Sequence, residues 1–228
     1  MYLRKAIDRG QADLGWLKAK YTFSFAGYFS RQHMGFRALR VINQDIVQPG
    51  RGFDTHSHQD MEIVTYVLRG SLQHTDSQGH SSQLRHTDVQ RMSAGTGIRH
   101  SEYNADAKQE LELLQIWIEP QTQGLEPAYE EKNFPLVPGL TLLASGHGKE
   151  NALYINRNIE IFRGHFAASK TLDHRTDPAR FHWIQNIRGD FSVNDQSLQA
   201  GDGLGLSAVS QLKIKSLTDC EFLYFDLD

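Results

Sequence analysis

Cysteine is nearly missing: Cys220 stands alone among 228 residues, so no intrachain disulfide can form. A reducing cytoplasm is the simplest expected setting. Cys220 lies in the apolar run CEFLYFDL and reads as a buried strand residue rather than a reactive thiol. Long apolar runs are also lacking. No stretch approaches the roughly 18 to 20 apolar residues of a membrane helix. The N-terminal run MYLRKAIDRGQADLG has no apolar segment of the kind a secretory signal needs. Nor is there a basic surplus, because 24 Lys and Arg face 27 Asp and Glu, for a formal net charge of -3. Such a balance leaves little to neutralise a phosphate backbone and argues against general nucleic-acid binding. Helix signals are scarce throughout.

What is present points to strands. Aliphatic and aromatic runs recur at 38–42, 62–68, 111–118, 140–144, 159–166, 181–187 and 221–227, separated by Gly, Asp and Asn. This spacing predicts an all-β chain of sandwiches or barrels rather than βαβ units. Turn residues fit: Gly70 follows one run, DSQG spans 76–79, and Gly189–Asp190 and Gly201–Asp202–Gly203 form tight reversals. Four of the six prolines fall within 119–139, so that segment is no central strand. It reads as a connector, and the expected division is 1–130 and 131–228. Eight of the eleven histidines precede Gly148, which concentrates the chemistry in the first half.

His56 and His58 form an H-x-H pair in THSHQDMEIVTYV. On a strand, residues i and i+2 share a face, so both imidazoles reach one ion. His100 and Glu102 repeat this geometry in RHSEYN. Two such strands would give a site of three imidazoles and one carboxylate. Four protein ligands on an octahedral ion leave about two positions for water or substrate. The first pair alone is weak: eleven histidines in this length produce about 0.5 H-x-H pairs by chance. The surrounding residues add weight. Gly50 stands six positions before His56, Glu62 four after His58, and Gly70 closes the run; Gly97 precedes His100 by three and Asn104 follows it by four.

With those residues the sequence resembles the cupins. Gly50, His56, His58, Glu62 and Gly70 follow the first cupin motif, with seven residues rather than six before the last glycine. Gly97, His100 and Asn104 match part of the second; Gly95 stands near its P-x-G element, and Val89 replaces its leading glycine. A narrower resemblance covers most of residues 1–130. The blocks TFSFAGYF, MGFRALRVINQD, THSHQDMEIVTYVLRG, QRMSAGTGIRHSEYN and LLQIWIEP are similar to the pirin family. That resemblance implies two tandem cupin jelly-roll barrels packed together, a bicupin. Residues 1–130 would be the metal-binding cupin and residues 131–228 a degenerate cupin without metal. It also implies His56, His58, His100 and Glu102 as the metal ligands. Glu62, a ligand in many cupins but not in pirins, is expected outside the ligand set, orienting a ligand histidine. One divalent transition metal ion is implied, Fe(II) first, with Ni, Zn, Mn, Co or Cu as alternatives.

Pirins resemble flavonol dioxygenases, which implies a quercetin 2,3-dioxygenase that opens the ring with O₂. Glu102 would take the proton of the flavonol 3-hydroxyl. The competing expectation is a metal-containing regulatory or partner-binding protein with incidental quercetinase activity. A ligand-sized apolar cavity over the metal would favour the enzyme. A centre closed by side chains beside a large apolar patch would favour the partner module. A cytoplasmic monomer, touching neither nucleic acid nor membrane, completes the expectation. Among the other candidates, Phe23, Phe25, Phe53, Met61 and Met92 are core by default or pocket-lining by exception. Arg99 and Gln115 are possible polar pocket residues, and Trp16, Trp117 and Trp183 read as core. His33, His74, His80 and His86 read as surface residues. His182 has a packing or surface role, and with His165 and His174 it lacks strand-pair spacing.

Overall fold

Alternation builds the strands near the sheet margin. In Leu17–Tyr21 the residues Leu17, Ala19 and Tyr21 are buried while Lys18 and Lys20 face water, as a strand with one apolar face requires. The central strands Glu62–Arg69 and Cys220–Leu227 are buried along nearly their whole length, which matches their continuous apolar runs. The computed structural model describes every residue except Glu150. Its strands begin with β1 (Tyr2–Arg4), β2 (Gly10–Asp13), β3 (Leu17–Tyr21), β4 (Leu39–Val47), β5 (Gly52–His58) and β6 (Glu62–Arg69). There follow β7 (Ser71–Asp76), β8 (Ser81–Arg85), β9 (Asp88–Ser93), β10 (Ile98–Asn104), β11 (Leu111–Ile118) and β12 (Ala128–Asn133). The second half holds β13 (Gly139–Ser145), β14 (Leu153–Tyr154), β15 (Glu160–Phe166), β16 (Thr171–Arg175) and β17 (Phe181–Arg188). It ends with β18 (Phe191–Val193), β19 (Gln196–Leu198), β20 (Gly203–Ser207), β21 (Gln211–Ser216) and β22 (Cys220–Leu227). One 3-10 turn, Ala6–Asp8, is the sole helical element among the described residues.

The chain forms two compact units. The first comprises Gly10–Pro135 and Leu153–Arg157; the second comprises Met1–Arg9, Leu136–Ala152 and Asn158–Asp228. In the first unit a long antiparallel sheet runs β12-β9-β6-β11-β4-β3-β2, and a second sheet runs β5-β10-β7-β8. Leu17, Val47, Val67, Leu72, Leu84, Leu111 and Leu113 are among the side chains that fill its core. The second unit repeats the plan with β1-β20-β17-β22-β15-β13 and β16-β21-β18-β19. Its core includes Phe191, Phe222, Leu204 and Leu212, all fully buried. Burying each such side chain contributes about 1.5–3 kcal/mol.

Every run expected from the sequence lies in a strand, with starts within one residue. The proline-rich segment 119–139 contains β12, which among the described residues pairs with β9 alone, at the sheet edge, where flanking prolines do no harm. The first strand, β1, joins the second unit by pairing Tyr2, Leu3 and Arg4 with Gly205, Leu204 and Gly203. Cys220 is buried, and burial pushes its thiol up to about 11, so it is an inert core residue as expected. No helix among the described residues is long and apolar enough to cross a membrane.

Candidate metal centre

The small sheet of the first unit assembles the site. Strand β10 pairs with β5 so that His100 lies directly opposite His56 and Ile98 opposite His58. Between His100 and Glu102 the register shifts, and Glu102 comes to lie opposite Phe53. This bulge re-aims the carboxylate. Gly52 permits it: a Cβ there would strike the Glu102 carbonyl oxygen and Tyr103. The two strands bring three imidazoles together. Ring centroids lie 4.4 Å apart for His56 and His100, 4.8 Å for His56 and His58, and 4.9 Å for His58 and His100. One donor atom from each falls within 4.8 Å of the others.

Burial keeps two of these imidazoles, His58 and His100, neutral. Burial and then the neighbouring His56 hold His58 down to about 4. Burial, reinforced by His56, His58 and His74, holds His100 down to about 2. A neutral imidazole offers a lone pair, which a metal needs. His56 donates its Nδ1 proton to the Asp54 carbonyl at 2.8 Å, which leaves Nε2 free to coordinate. His100 is 2% exposed, yet neither ring nitrogen has a partner. Buried polar atoms are nearly always paired, so these orphaned nitrogens fit a divalent metal ion.

Glu102, the fourth expected ligand, clusters with His100 and His74, one donor atom of each within 4.8 Å of the others. It accepts hydrogen bonds from Gln115 Nε2 at 2.6 Å, Gln90 Nε2 at 3.2 Å and Thr65 Oγ1 at 3.4 Å. Burial pushes its carboxyl up to about 7 despite these three donors. Strands β6, β9 and β11 supply the donors. Of these, the sequence singled out only Gln115, since isolated Gln and Thr residues carry no spacing signal. A cavity of about 420 Å³ opens over the four groups. Trp16, Phe25, Phe53, Ile63 and Trp117 line it, together with Gln115 and Asn43.

Several expectations need correction. Trp16 and Trp117 are not plain core residues but cavity walls: Trp16 meets Phe53 edge-on at 5.3 Å, and Trp117 meets His58 at 4.9 Å. Phe25 and Phe53 line the cavity, whereas Phe23 and Met92 are core, and Met61 packs beside Ile63 and Met92. Trp183 is core in the second unit. Arg99 is exposed and does not line the cavity. Glu62 is buried, but it accepts from Ser93 Oγ at 2.9 Å and from a backbone N–H at Asn156. Among the described residues its hydrogen-bond partners are Ser93 and Asn156 and not a histidine, while its neighbour Ile63 takes the cavity-facing position on β6. His74 is not on the surface: it is fully buried beside His100, with ring centroids 5.3 Å apart. His33, His80 and His86 are half-buried and do not line the cavity. In the second unit His182 is buried and packs, with Nδ1 3.1 Å from the Tyr224 hydroxyl.

Known proteins resemble this chain along its whole length. The pirin family profile matches residues 3–118, and the quercetinase C-terminal cupin domain profile matches residues 142–227. A quercetin 2,3-dioxygenase of Escherichia coli K12 is 43% identical over 227 residues, covering 100% of this chain and 98% of that protein. A pirin-like protein of Caulobacter vibrioides is 39% identical over 228 residues, covering 98% of each. The crystal structure of a bacterial pirin from Escherichia coli in complex with nickel(II) superposes with a TM-score of 0.96 at 43% identity, covering 99% of this chain and 98% of that one. The matching profiles, the identity along the whole length and the paired cupin units together establish that the chain belongs to the pirin family of bicupins.

Proposed function

We propose that the chain is a metal-dependent quercetin 2,3-dioxygenase whose metal is held by His56, His58, His100 and Glu102. The cavity carries this reading: it is of ligand size, walled by Trp16, Phe25, Phe53 and Trp117, and ends on these four groups. The partner-module reading required a centre closed by side chains. Similarity to the Escherichia coli quercetin 2,3-dioxygenase supports a flavonol and O₂ as the substrates. The chemistry belongs to the first cupin domain, and the second is a degenerate cupin without metal.

Flat aromatic walls suit a flat aromatic substrate, which stacks edge-on or offset against them. When bound, a divalent transition metal lowers the pKa of a coordinated hydroxyl and, if redox-active, lets its electrons reach O₂. Fe(II) is the metal the family resemblance implies; the nickel(II) complex of the related pirin supports Ni(II) as a second choice. Glu102, at the floor of the cavity, is the carboxylate placed to accept the proton of the flavonol 3-hydroxyl. Gln115, Gln90 and Thr65 fix its carboxylate for that task. The aromatic walls exclude water from the reacting ring.

Oxygen-18 labelling tests the assignment. Metal-loaded protein supplied with quercetin and ¹⁸O₂ is expected to place both atoms of one O₂ in the ring-opened product. Quercetin lost with label recovered only as hydrogen peroxide would refute dioxygenase chemistry.

A further inference from the structure

Three neighbouring strands of the small sheet each carry a histidine paired, two positions on, with another metal-binding side chain. Strand β5 has His56 and His58, β10 has His100 and Glu102, and β7 has His74 and Asp76. The first two pairs build the centre described above. The third has no part in it. Its register is nonetheless aligned, because His74 lies directly opposite Glu102 and Asp76 directly opposite His100.

The third pair is arranged as a ligand and its support. Asp76 Oδ2 lies 3.4 Å from His74 Nε2. Asp76 also accepts from the backbone N–H groups of Gln78 at 2.9 Å and His80 at 3.0 Å, which hold it as a carboxylate. A carboxylate on one ring nitrogen keeps the proton there and leaves a lone pair on the other. That other atom, His74 Nδ1, is buried and has no partner. Behind the imidazole, the Tyr129 ring stacks at 4.9 Å and fixes the plane. In front of it lies His100, whose two ring nitrogens are likewise unpartnered. One donor atom each from His74, His100 and Glu102 falls within 4.8 Å of the others, and all three residues are buried.

We propose that His74, His100 and Glu102 form a second, inner position for a divalent transition metal ion, beside the outer one held by His56, His58, His100 and Glu102. Two imidazoles and one carboxylate are a donor set suited to Fe(II), Co(II), Ni(II) or Zn(II). The two positions share His100 and Glu102, so they serve one ion at a time. The inner set is buried throughout, whereas His56 and His58 are half-buried. The inner position rests on the reading of His100 and Glu102 as ligands, but it is separable from it by experiment.

The test uses the full chain, stripped by chelation and titrated with Co(II), read by equilibrium dialysis and the visible absorption of the bound ion. Wild type is expected to bind Co(II). The double variant His56→Ala/His58→Ala, which removes the outer position, is expected to retain one Co(II) per chain at lower affinity. Adding His74→Phe, which keeps a ring on Tyr129 but removes the donor, is expected to weaken that residual binding at least tenfold. Adding Asp76→Asn instead, with the imidazole left in place, is expected to weaken it about 10- to 100-fold. Residual binding unchanged by both additions, or absent from the double variant while wild type binds, overturns the inner position alone. Wild type that binds no Co(II) overturns the inner position and the metal centre together.

Discussion

At Glu102 burial and hydrogen bonding pull in opposite directions, and burial wins. Three neutral donors contact the carboxylate, yet its pKa stands near 7, above the ordinary 4.5. In the metal-free protein the folded state therefore holds a proton that the unfolded chain has released between about 4.5 and 7. Stability from this group is present below the unfolded value and is lost as pH rises through the folded one. Glu102→Gln removes the effect. Comparing chelated proteins, the stability of Glu102→Gln relative to wild type is expected to rise by up to about 3 kcal/mol between pH 4.5 and 8. Urea unfolding at several pH values measures it; a pH-independent difference would contradict the buried state of the carboxyl. His58 and His100 act in the opposite sense, because their depressed values make stability fall as acid protonates the unfolded chain. They are common to both proteins and cancel in the difference. At this scale the meeting of His56, His58 and His100 was legible, because i and i+2 pairing marks a strand face. His74 was not: its partner Asp76 opens the polar run DSQG and looked like turn chemistry. Trp117 was misread because side-chain size does not tell which strand face meets a cavity, and Trp16 because it lies in the connection between β2 and β3.

The elements that carry the site are the ones hydrophobic pattern describes least well. Strand β5 has no buried residue, and β8 buries only Leu84. Their polar sequences resemble loops, whereas β6, β11 and β22 announce themselves by apolar runs. Nor does any residue type announce the bulge in β10; it follows from Gly52 facing the Glu102 backbone across the strand pair. Gly52→Val tests that fit. The added side chain must push β5 away from β10 and separate His56 from His100. Metal affinity is expected to fall at least tenfold, with a loss of about 1–3 kcal/mol in stability from overpacking. Metal titration together with thermal melting measures both; unaltered affinity would show that the close approach at Gly52 does not set the imidazole spacing.

For the whole molecule, sequence order and spatial order differ at the start of the chain. Residues 1–9 precede the metal-binding blocks, yet they group with the second unit. Strand β1 pairs with β20, and Lys5 Nζ reaches Asp202 at 2.8 Å. Leu153–Arg157 likewise groups with the first unit, where the Tyr154 backbone N–H donates to Glu130 at 3.1 Å. Contacts between residues nearly 200 positions apart leave no local signature, so a cut within the proline-rich connector was the most that periodicity offered. The family blocks compensated, since they fix the histidine strands and the cavity in one frame. Oxygen uptake in the presence of quercetin tests the joined claim of metal centre and cavity most directly, with metal-loaded wild type compared against His56→Ala. Wild type is expected to consume O₂ together with quercetin, and His56→Ala at least 100-fold more slowly. Equal uptake by the two proteins, or none above the protein-free rate in wild type, would contradict it.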